Sequence, residues 1–258
     1  MTGLFSVEGK VALVTGGSRG IGFHVARGLL EGGAKVYITA RKADACQAAA
    51  AELGQSGDCT AVPGDLSSRE GVARVVEQVA ALEPELHILV NNAGASWGAP
   101  VDDFPEAGFD KVLDTNVKGV FYTTSLLLPQ LRAAATADDP ARVINIGSVD
   151  GISVPLMDNF AYSASKAGVH MLTRHLARRL VDEHINVNAI APGLFRSKMT
   201  AFMFEDPAVE QSVVDRIPMH REGTGDDIAG TVIYLSSRAS NYVTGAVIPV
   251  SGGLATLA

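Results

Sequence analysis

The chain has 258 residues, 47% of them hydrophobic and 19% charged, with a formal net charge of −7. That length can bury one large core, and the acidic balance argues against nucleic acid or an anionic membrane as a main partner. Two cysteines without metal-ligand spacing, a start lacking a basic-then-apolar leader, and no apolar run of membrane-spanning length argue against a disulfide scaffold, a metal site, a signal peptide and a membrane span; a cytoplasmic protein is expected.

The first β-rich run, KVALVT (Lys10 to Thr15), leads directly into TGGSRGIG (Thr15 to Gly22). Glycines at 16, 20 and 22 permit a tight turn and a close approach of phosphate to backbone. The helix predicted over Gly20 to Glu31 then points its free N–H groups at a pyrophosphate. The spacing is G-x-x-x-G-x-G rather than G-x-G-x-x-G. The second run, KVYITA, ends in Ala40 and Arg41, with no carboxylate to accept bonds from a ribose 2′-hydroxyl. Arg41 suits a 2′-phosphate instead, and Arg19 is a second candidate for that phosphate or for stacking on adenine. NADP (NADPH) is therefore the expected cofactor.

Helical patterns follow over Ala43 to Leu53 and Ser67 to Leu82, the latter with Ser67 as N-cap and Glu70 completing a capping box. Short apolar runs CTAVP (Cys59 to Pro63), LHILVN (Leu86 to Asn91), RVINIG (Arg142 to Gly147), INVNAI (Ile185 to Ile190) and AVIPV (Ala246 to Val250) read as strands buried on both faces. Asn91 and Asn92, closing the LHILVN run, suit either a turn or a cofactor wall. Long helices are predicted over about 109–134 and 162–183. The alternation implies an α/β fold: one doubly wound, Rossmann-like parallel sheet of about seven strands, helices on both faces, and a single domain over residues 1–258. Residues 193–217 break the rhythm with Phe195, Met199, Phe202, Met203 and Phe204; they read as a substrate lid or as an ordinary pair of surface helices.

YSASK sets Tyr162 and Lys166 four residues apart, on one helix face. An ammonium beside a phenol is expected to lower its pKa and make it a usable acid or base. Ser148, just past a strand, suits either a turn or a donor to a developing oxyanion. Asn116 reads by itself as a satisfied buried amide.

Together TGGSRGIG, GDL (Gly64 to Leu66), NNAG (Asn91 to Gly94), Asn116, GSV (Gly147 to Val149), YSASK and APG (Ala191 to Gly193) resemble the short-chain dehydrogenase/reductase family over essentially the whole chain. NNAGASWGA, ARVINIGSV, EHINVNAIAPGLFRSKMT and VTGAVIPVSGG are most similar to its NADPH-dependent 3-oxoacyl-(acyl-carrier-protein) reductases of the rhamnolipid-associated type. The resemblance implies Asn116, Ser148, Tyr162 and Lys166 as catalytic residues. It implies Gly16, Ser18, Arg19, Gly20, Ile21, Gly22 and Arg41 around the phosphates, and Asp65 and Leu66 beside adenine. Asn92, Ala93 and Gly94 would back the cofactor, with Tyr162, Lys166, Pro192, Gly193 and Ser197 around its nicotinamide half. Ser197 replaces the family's Thr; Gly225, Ser251 and His220 replace its common Pro, Asp and Gly, which puts substrate shape and assembly in doubt rather than chemistry.

The resemblance implies an oxidoreductase that reduces a ketone or acyl thioester, and a homotetramer paired through the long helices and the last strand. Lid Phe and Met residues with Trp97 suggest an apolar pocket. A dehydrogenase of a sugar, steroid or other secondary alcohol, and a non-catalytic NADP-binding regulator, are the competing readings.

Overall fold

Seven strands form one parallel sheet in the order β3-β2-β1-β4-β5-β6-β7. They are β1 (Val11–Thr15), β2 (Lys35–Thr39), β3 (Cys59–Ala61), β4 (Ile88–Asn91), β5 (Ala141–Ile146), β6 (Ile185–Pro192) and β7 (Val247–Val250). The computed structural model describes residues 3–155, 157–198 and 200–257, with the backbone alone at 202 and 203. Every residue of β4, β5 and β6 is buried, as expected of strands covered on both faces.

The covering helices are α1 (Gly20–Glu31), α2 (Ala43–Leu53), α3 (Arg69–Leu82), α4 (Glu106–Leu113), α5 (Gly119–Leu126), α6 (Leu128–Ala134), α7 (Phe160–Leu180), α8 (Pro207–Val214) and α9 (Gly225–Ser236). Strand periodicity divides the core between the two faces. Ala12 and Val14 of β1 join Val25 and Leu29 of α1 and Val232 of α9 in one cluster. Leu13, between them, joins Val75 of α3, Leu131 of α6 and Ala177 of α7 in the other.

Two predicted helices differ from the sequence reading. The N-cap of α3 is Ser68, whose Oγ accepts from the Gly71 N–H at 3.1 Å; Ser67 instead gives its N–H to Asp65 Oδ1 at 3.0 Å. The Asx turn made by Asp65 takes up Ser67, so the helix starts one residue later and the expected Ser67–Glu70 capping box is absent. The single helix expected over about 109–134 is segmented. Between α4 and α5 the chain makes a π-helical stretch over Asp114–Lys118, closed by the Gly119 N–H on the Asp114 carbonyl. Pro129 lacks an N–H, and the chain breaks at Leu127 before restarting as α6. Strand limits differ from expectation by one or two residues: most strands stop pairing before the apolar run ends, β5 starts one residue earlier, and β6 continues to Pro192 because β7 pairs with Ala191 and Pro192.

Strand order reverses between β1 and β4, leaving a crevice above their carboxyl ends. At the opposite end of the sheet, Arg142 of β5 is 1% exposed and donates to the carbonyls of Pro140 and Ser237 and to Asn241 Oδ1. Asp139 beside it takes Lys10 Nζ at 2.7 Å. Among the described residues no helix is long and apolar enough to cross a membrane.

Candidate active site

The Gly-rich turn lies in the crevice between β1 and β4. Gly16 has a φ of +66°, and a Cβ there would come within 2.9 Å of Asn92 Nδ2. At Gly22 a Cβ would stand 2.4 Å from the same nitrogen and 2.5 Å from the Gly16 carbonyl oxygen. The crowding is built by Asn92, whose amide donates to the carbonyls of Thr15 and Gly16 at 2.8 and 3.2 Å. Thr15 Oγ1 completes the clasp by accepting from the N–H groups of Asn92 and Ala93, both at 2.9 Å. Asn92 thus belongs to the wall of the turn. Asn91 ends β4 and is buried, donating to Thr124 Oγ1 and Asn145 Oδ1. Thr15, which the sequence reading passed over, is the residue that joins the two loops.

Past Ser18, α1 begins with Arg19 as N-cap, no side chain capping it and no acidic residue in its first turn. Its N–H groups are left for an external acceptor. Ile21 is half-buried in that first turn. Arg19 and Arg41 are exposed and, among the described residues, form no ion pair. Farther along the same strand ends, Asp65 is exposed and Leu66 buried.

On the other side, Pro192 ends β6 and Gly193 gives its N–H to the Val250 carbonyl at 3.0 Å. Ser197 faces the Gly-rich turn: its Cβ lies 3.5 Å from where a Cβ on Gly20 would stand. Its hydroxyl is paired with Thr200 Oγ1 at 3.1 Å, a partner not anticipated from the motif. The 193–217 segment contains a 3₁₀ turn over Ala201–Phe204 and then α8. Phe195, expected among the lid residues, is instead buried in the main core and stacked on Gly223, where a Cβ would meet its ring at 2.4 Å. Phe204 lies under the Arg196 guanidinium, 4.0 Å from carbon to ring centre. Met199 and the side chains of Phe202 and Met203 lie outside the described residues.

Asn116, Ser148, Tyr162 and Lys166 come together above β4 and β5. Asn116 sits on the π-helical stretch and is 1% exposed. Its amide clasps both backbone groups of Ala95, at 2.8 and 2.9 Å, and donates to Ser165 Oγ at 2.9 Å. Ser165 in turn donates to the Tyr162 carbonyl at 2.7 Å. A Cβ on Gly94 would lie 3.4 Å from Asn116 Oδ1 and 3.8 Å from Lys166 Nζ, which puts the three at one point.

The expected acidification of Tyr162 by Lys166 is not what the protein alone provides. Lys166 is buried and donates to the Ile146 carbonyl at 2.7 Å, with its Nζ 5.5 Å from the centre of the Tyr162 ring. Burial pushes the phenol up to about 12, against the pull of the Ser148 hydroxyl, and brings Lys166 down to about 8. Helical spacing puts the ammonium on the right face, but removal of both groups from water disfavours both charged forms. Ser148 Oγ accepts from the Asp150 N–H at 3.1 Å, which leaves its own O–H to donate outward.

Three polar residues beside this cluster carry no motif signal: Asp150, Asn159 and His170. His170 packs under the Ser148 turn, where a Cβ on Gly147 or Gly151 would meet its ring at 2.2 and 2.9 Å. The segments that follow β4 and β5 carry exposed apolar side chains, with exposed Asp102, Asp103 and Asp158 among them and Lys111 over the Trp97 ring. Trp97, Val101, Ile152, Val154 and Met157 are exposed, Val154 at 95%, and Phe104 makes edge contacts with Phe109 and Phe160. Among the described residues no group of three or more His, Cys, Asp or Glu side chains is arranged to hold a metal.

Residues 16–255 match the family described as enoyl-(acyl carrier protein) reductase. The chain is 51% identical to the rhamnolipids biosynthesis 3-oxoacyl-[acyl-carrier-protein] reductase of Pseudomonas aeruginosa, over 96% of this chain and 97% of that protein. It is 34% identical to the 5-keto-D-gluconate 5-reductase of Escherichia coli K12, over 98% of each chain. Among solved structures, the Pseudomonas aeruginosa RhlG/NADP active-site complex superposes with a TM-score of 0.96 at 50% identity, covering 99% of this chain and 100% of that one. A gluconate 5-dehydrogenase from Burkholderia cenocepacia in complex with NADP and tartrate superposes at 0.92 with 30% identity, covering 99% of each.

Proposed function

The chain belongs to the short-chain dehydrogenase/reductase family, and from that premise we propose that it is an NADPH-dependent carbonyl reductase acting on 3-oxoacyl thioesters or similarly apolar ketones. One observation carries the reading: Ser148, Tyr162 and Lys166 converge at the carboxyl ends of the central strands, with Lys166 beside Gly94 of the loop that walls the Gly-rich turn. The site fits NADP on its own chemistry. Two exposed arginines lack acidic partners among the described residues, the end of β2 offers no carboxylate, and α1 presents free N–H groups.

Gly16, Ser18, Arg19, Gly20, Ile21 and Gly22 would hold the pyrophosphate, and Arg41 with Arg19 the 2′-phosphate. Asp65 and Leu66 would border adenine. Asn92, Ala93 and Gly94 would back the dinucleotide, and Pro192, Gly193 and Ser197 its nicotinamide amide. When bound, NADPH supplies the reducing equivalent. Tyr162, a phenol that keeps its proton through the neutral range, protonates the carbonyl oxygen. Ser148 donates its O–H to the same oxygen and stabilises the charge that develops there. Lys166 keeps two ammonium protons beyond the one given to Ile146, and these serve the ribose hydroxyls. Asn116 acts through backbone, fixing Ala95 and the start of α7.

Exposed Trp97, Val101, Val154 and Met157 favour an acyl chain over a polyol. A carrier-protein or coenzyme A thioester places its chain against Trp97, Val101 and Val154, with residues 193–217 as the lid of a single catalytic domain. Exposed Phe121 and Met171 on α5 and α7, and the half-exposed edge strand β7, favour a homotetramer; light scattering tests it. The free cysteines Cys46 and Cys59 agree with a cytoplasmic location.

The test is NADPH oxidation with acetoacetyl thioesters, aromatic ketones and keto-sugars, in the wild type and Tyr162→Phe. Thioester turnover that disappears in the variant, with NADPH binding retained, is the expected result. Preference for the keto-sugars, or an active variant, would overturn the reading.

A further inference from the structure

Gly147 and Gly151 stand on either side of Ser148, and neither has a side chain to hold the turn in place. Gly147 gives its N–H to the Ile190 carbonyl of β6 at 2.7 Å, which pins the start of the turn to the sheet. Gly151 closes the 3₁₀ turn Val149–Gly151, with its N–H on the Ser148 carbonyl at 3.1 Å. One ring fills the space that both glycines leave. A Cβ on Gly147 would stand 2.2 Å from His170 Nε2 and 2.7 Å from its Cδ2, and a Cβ on Gly151 would stand 2.9 Å from its Cε1. One side of the imidazole thus underlies the residue before Ser148, and another underlies the end of the turn.

His170 belongs to α7, one turn beyond Lys166, and is 5% exposed. Lys166 Nζ holds the Ile146 carbonyl at 2.7 Å. Two successive residues at the end of β5 are therefore met from α7, Ile146 by the ammonium and Gly147 by the imidazole. Gly151 meets the helix backbone itself, where its Cβ would stand 2.6 Å from the Lys166 carbonyl carbon. Burial holds the His170 ring below the usual imidazole range, so it is uncharged at neutral pH. Its Nε2 is buried with no partner among the described residues. A buried nitrogen left unpaired is a cost, so hydrogen bonding at Nε2 does not account for the residue. The space that the ring fills does.

We propose that His170 is a positioning residue of the reaction: its ring is the spacer between α7 and the Ser148 turn, and it sets where the Ser148 hydroxyl stands relative to Tyr162 on the same helix. The inference rests on the carbonyl-reductase reading and adds the residue that spaces its two donors. Tyr162 and Ser148 serve one carbonyl oxygen, so their separation has to suit a single atom. They come from different elements, the phenol from α7 and the hydroxyl from the loop after β5. Between those elements the glycines offer only backbone, and the ring supplies the missing thickness. Removing it lets the turn settle toward the helix. Adding a methyl group at Gly147 lifts the turn off the ring, and because Gly147 has no positive φ an alanine there is opposed by contact alone. Either displacement moves the Ser148 donor and leaves the Gly-rich turn as it is.

The experiment compares wild type, His170→Ala, His170→Gln, Gly147→Ala and the double variant Gly147→Ala with His170→Ala. The kcat for ketone reduction is expressed per NADPH-binding site, so that unfolded protein does not count as lost rate, and NADPH affinity is read by nucleotide fluorescence. His170→Ala should lower kcat about tenfold or more with NADPH affinity unchanged. His170→Gln, whose amide reaches about as far as Nε2, should stay within about threefold of wild type. Gly147→Ala should also lose rate, and the double variant should turn over faster than Gly147→Ala alone, because the methyl group then takes space the ring has left. Wild-type kcat in His170→Ala, or a Gly147→Ala loss that is the same with and without the ring, would overturn the proposal. If His170→Ala does not fold, Gly147→Ala decides by itself, since wild-type kcat in that variant would also overturn it. A wild type that reduces no ketone would refute the reaction assigned above. The two substitutions can still be compared in urea unfolding, which needs no substrate, and strictly additive losses there would show that the ring does not set the turn.

Discussion

Replacing Asn116 by alanine removes three hydrogen bonds at one buried point. The Ala95 N–H and carbonyl lose their partner, and Ser165 Oγ loses its donor. Each bond contributes about 1 kcal/mol net, and a group left buried and unpaired costs about 1–3 kcal/mol. The loss should therefore total about 3–5 kcal/mol, equivalent to a fall in Tm of about 10 °C for a chain of this size. Urea unfolding followed by circular dichroism measures it. Because Ser165 bonds the Tyr162 carbonyl and Ala95 follows Gly94 in the cofactor wall, turnover should fall as well. Asn116→Asp separates the parts. It keeps an acceptor for the Ala95 N–H but sets a second acceptor against the Ala95 carbonyl, so it should be destabilised to a similar extent. An alanine variant within about 1 kcal/mol of wild type would refute the reasoning, because the clasp would then contribute no more than a surface contact.

Arg41→Asp should lower affinity for NADPH by about tenfold or more while improving that for NADH, measured by nucleotide fluorescence, since a carboxylate repels the 2′-phosphate that the guanidinium grips; a wild type that prefers NADH would contradict the cofactor assignment. Ketone reduction should decline as pH rises through about 8, where Lys166 loses the proton that burial makes easier to release; an alkaline limb unmoved in Lys166→Arg, whose guanidinium does not titrate there, would contradict that cause. Arg142→Ala should cost about 3–5 kcal/mol in urea unfolding, because the carbonyls of Pro140 and Ser237 and the Asn241 amide oxygen lose a buried donor; a loss below about 1 kcal/mol would show that the buried guanidinium is dispensable.

The sheet was legible because buried parallel strands are short, apolar and bounded by turn residues. Runs such as ILVN and INVNAIAP carry that pattern in full. Both α1 and α2 begin and end where their sequence signals put them. What misled was competition between neighbours. Ser67 and Ser68 are both cap-competent, and the choice falls to Asp65, whose side chain claims the Ser67 N–H. The π-helical stretch was not legible, because the weak helix formers of DTNVK lower helix propensity without marking where an extra residue enters the turn. Its extra residue is held by the bonds of Asn116 to Ala95 and Ser165, at separations of 21 and 49 residues.

For the site, motif order located the groups but not their charge states. Four-residue spacing guarantees that Tyr162 and Lys166 share a helix face, yet ionisation depends on what covers that face. Here the covering groups come from elsewhere in the chain: the Ile146 carbonyl from β5, the Ser148 hydroxyl and the Asp150 carboxylate from the turn after it. Desolvation outweighs the pull of the Ser148 hydroxyl, so the phenol expected to be acidified holds its proton up to about 12. A phenol in that state enters ketone reduction as the proton donor. Oxidation of an alcohol requires the phenolate, and the added positive charge of an oxidised nicotinamide would have to supply that bias. The protonation state of Tyr162 therefore depends on what surrounds the phenol, a property that the YSASK spacing does not encode.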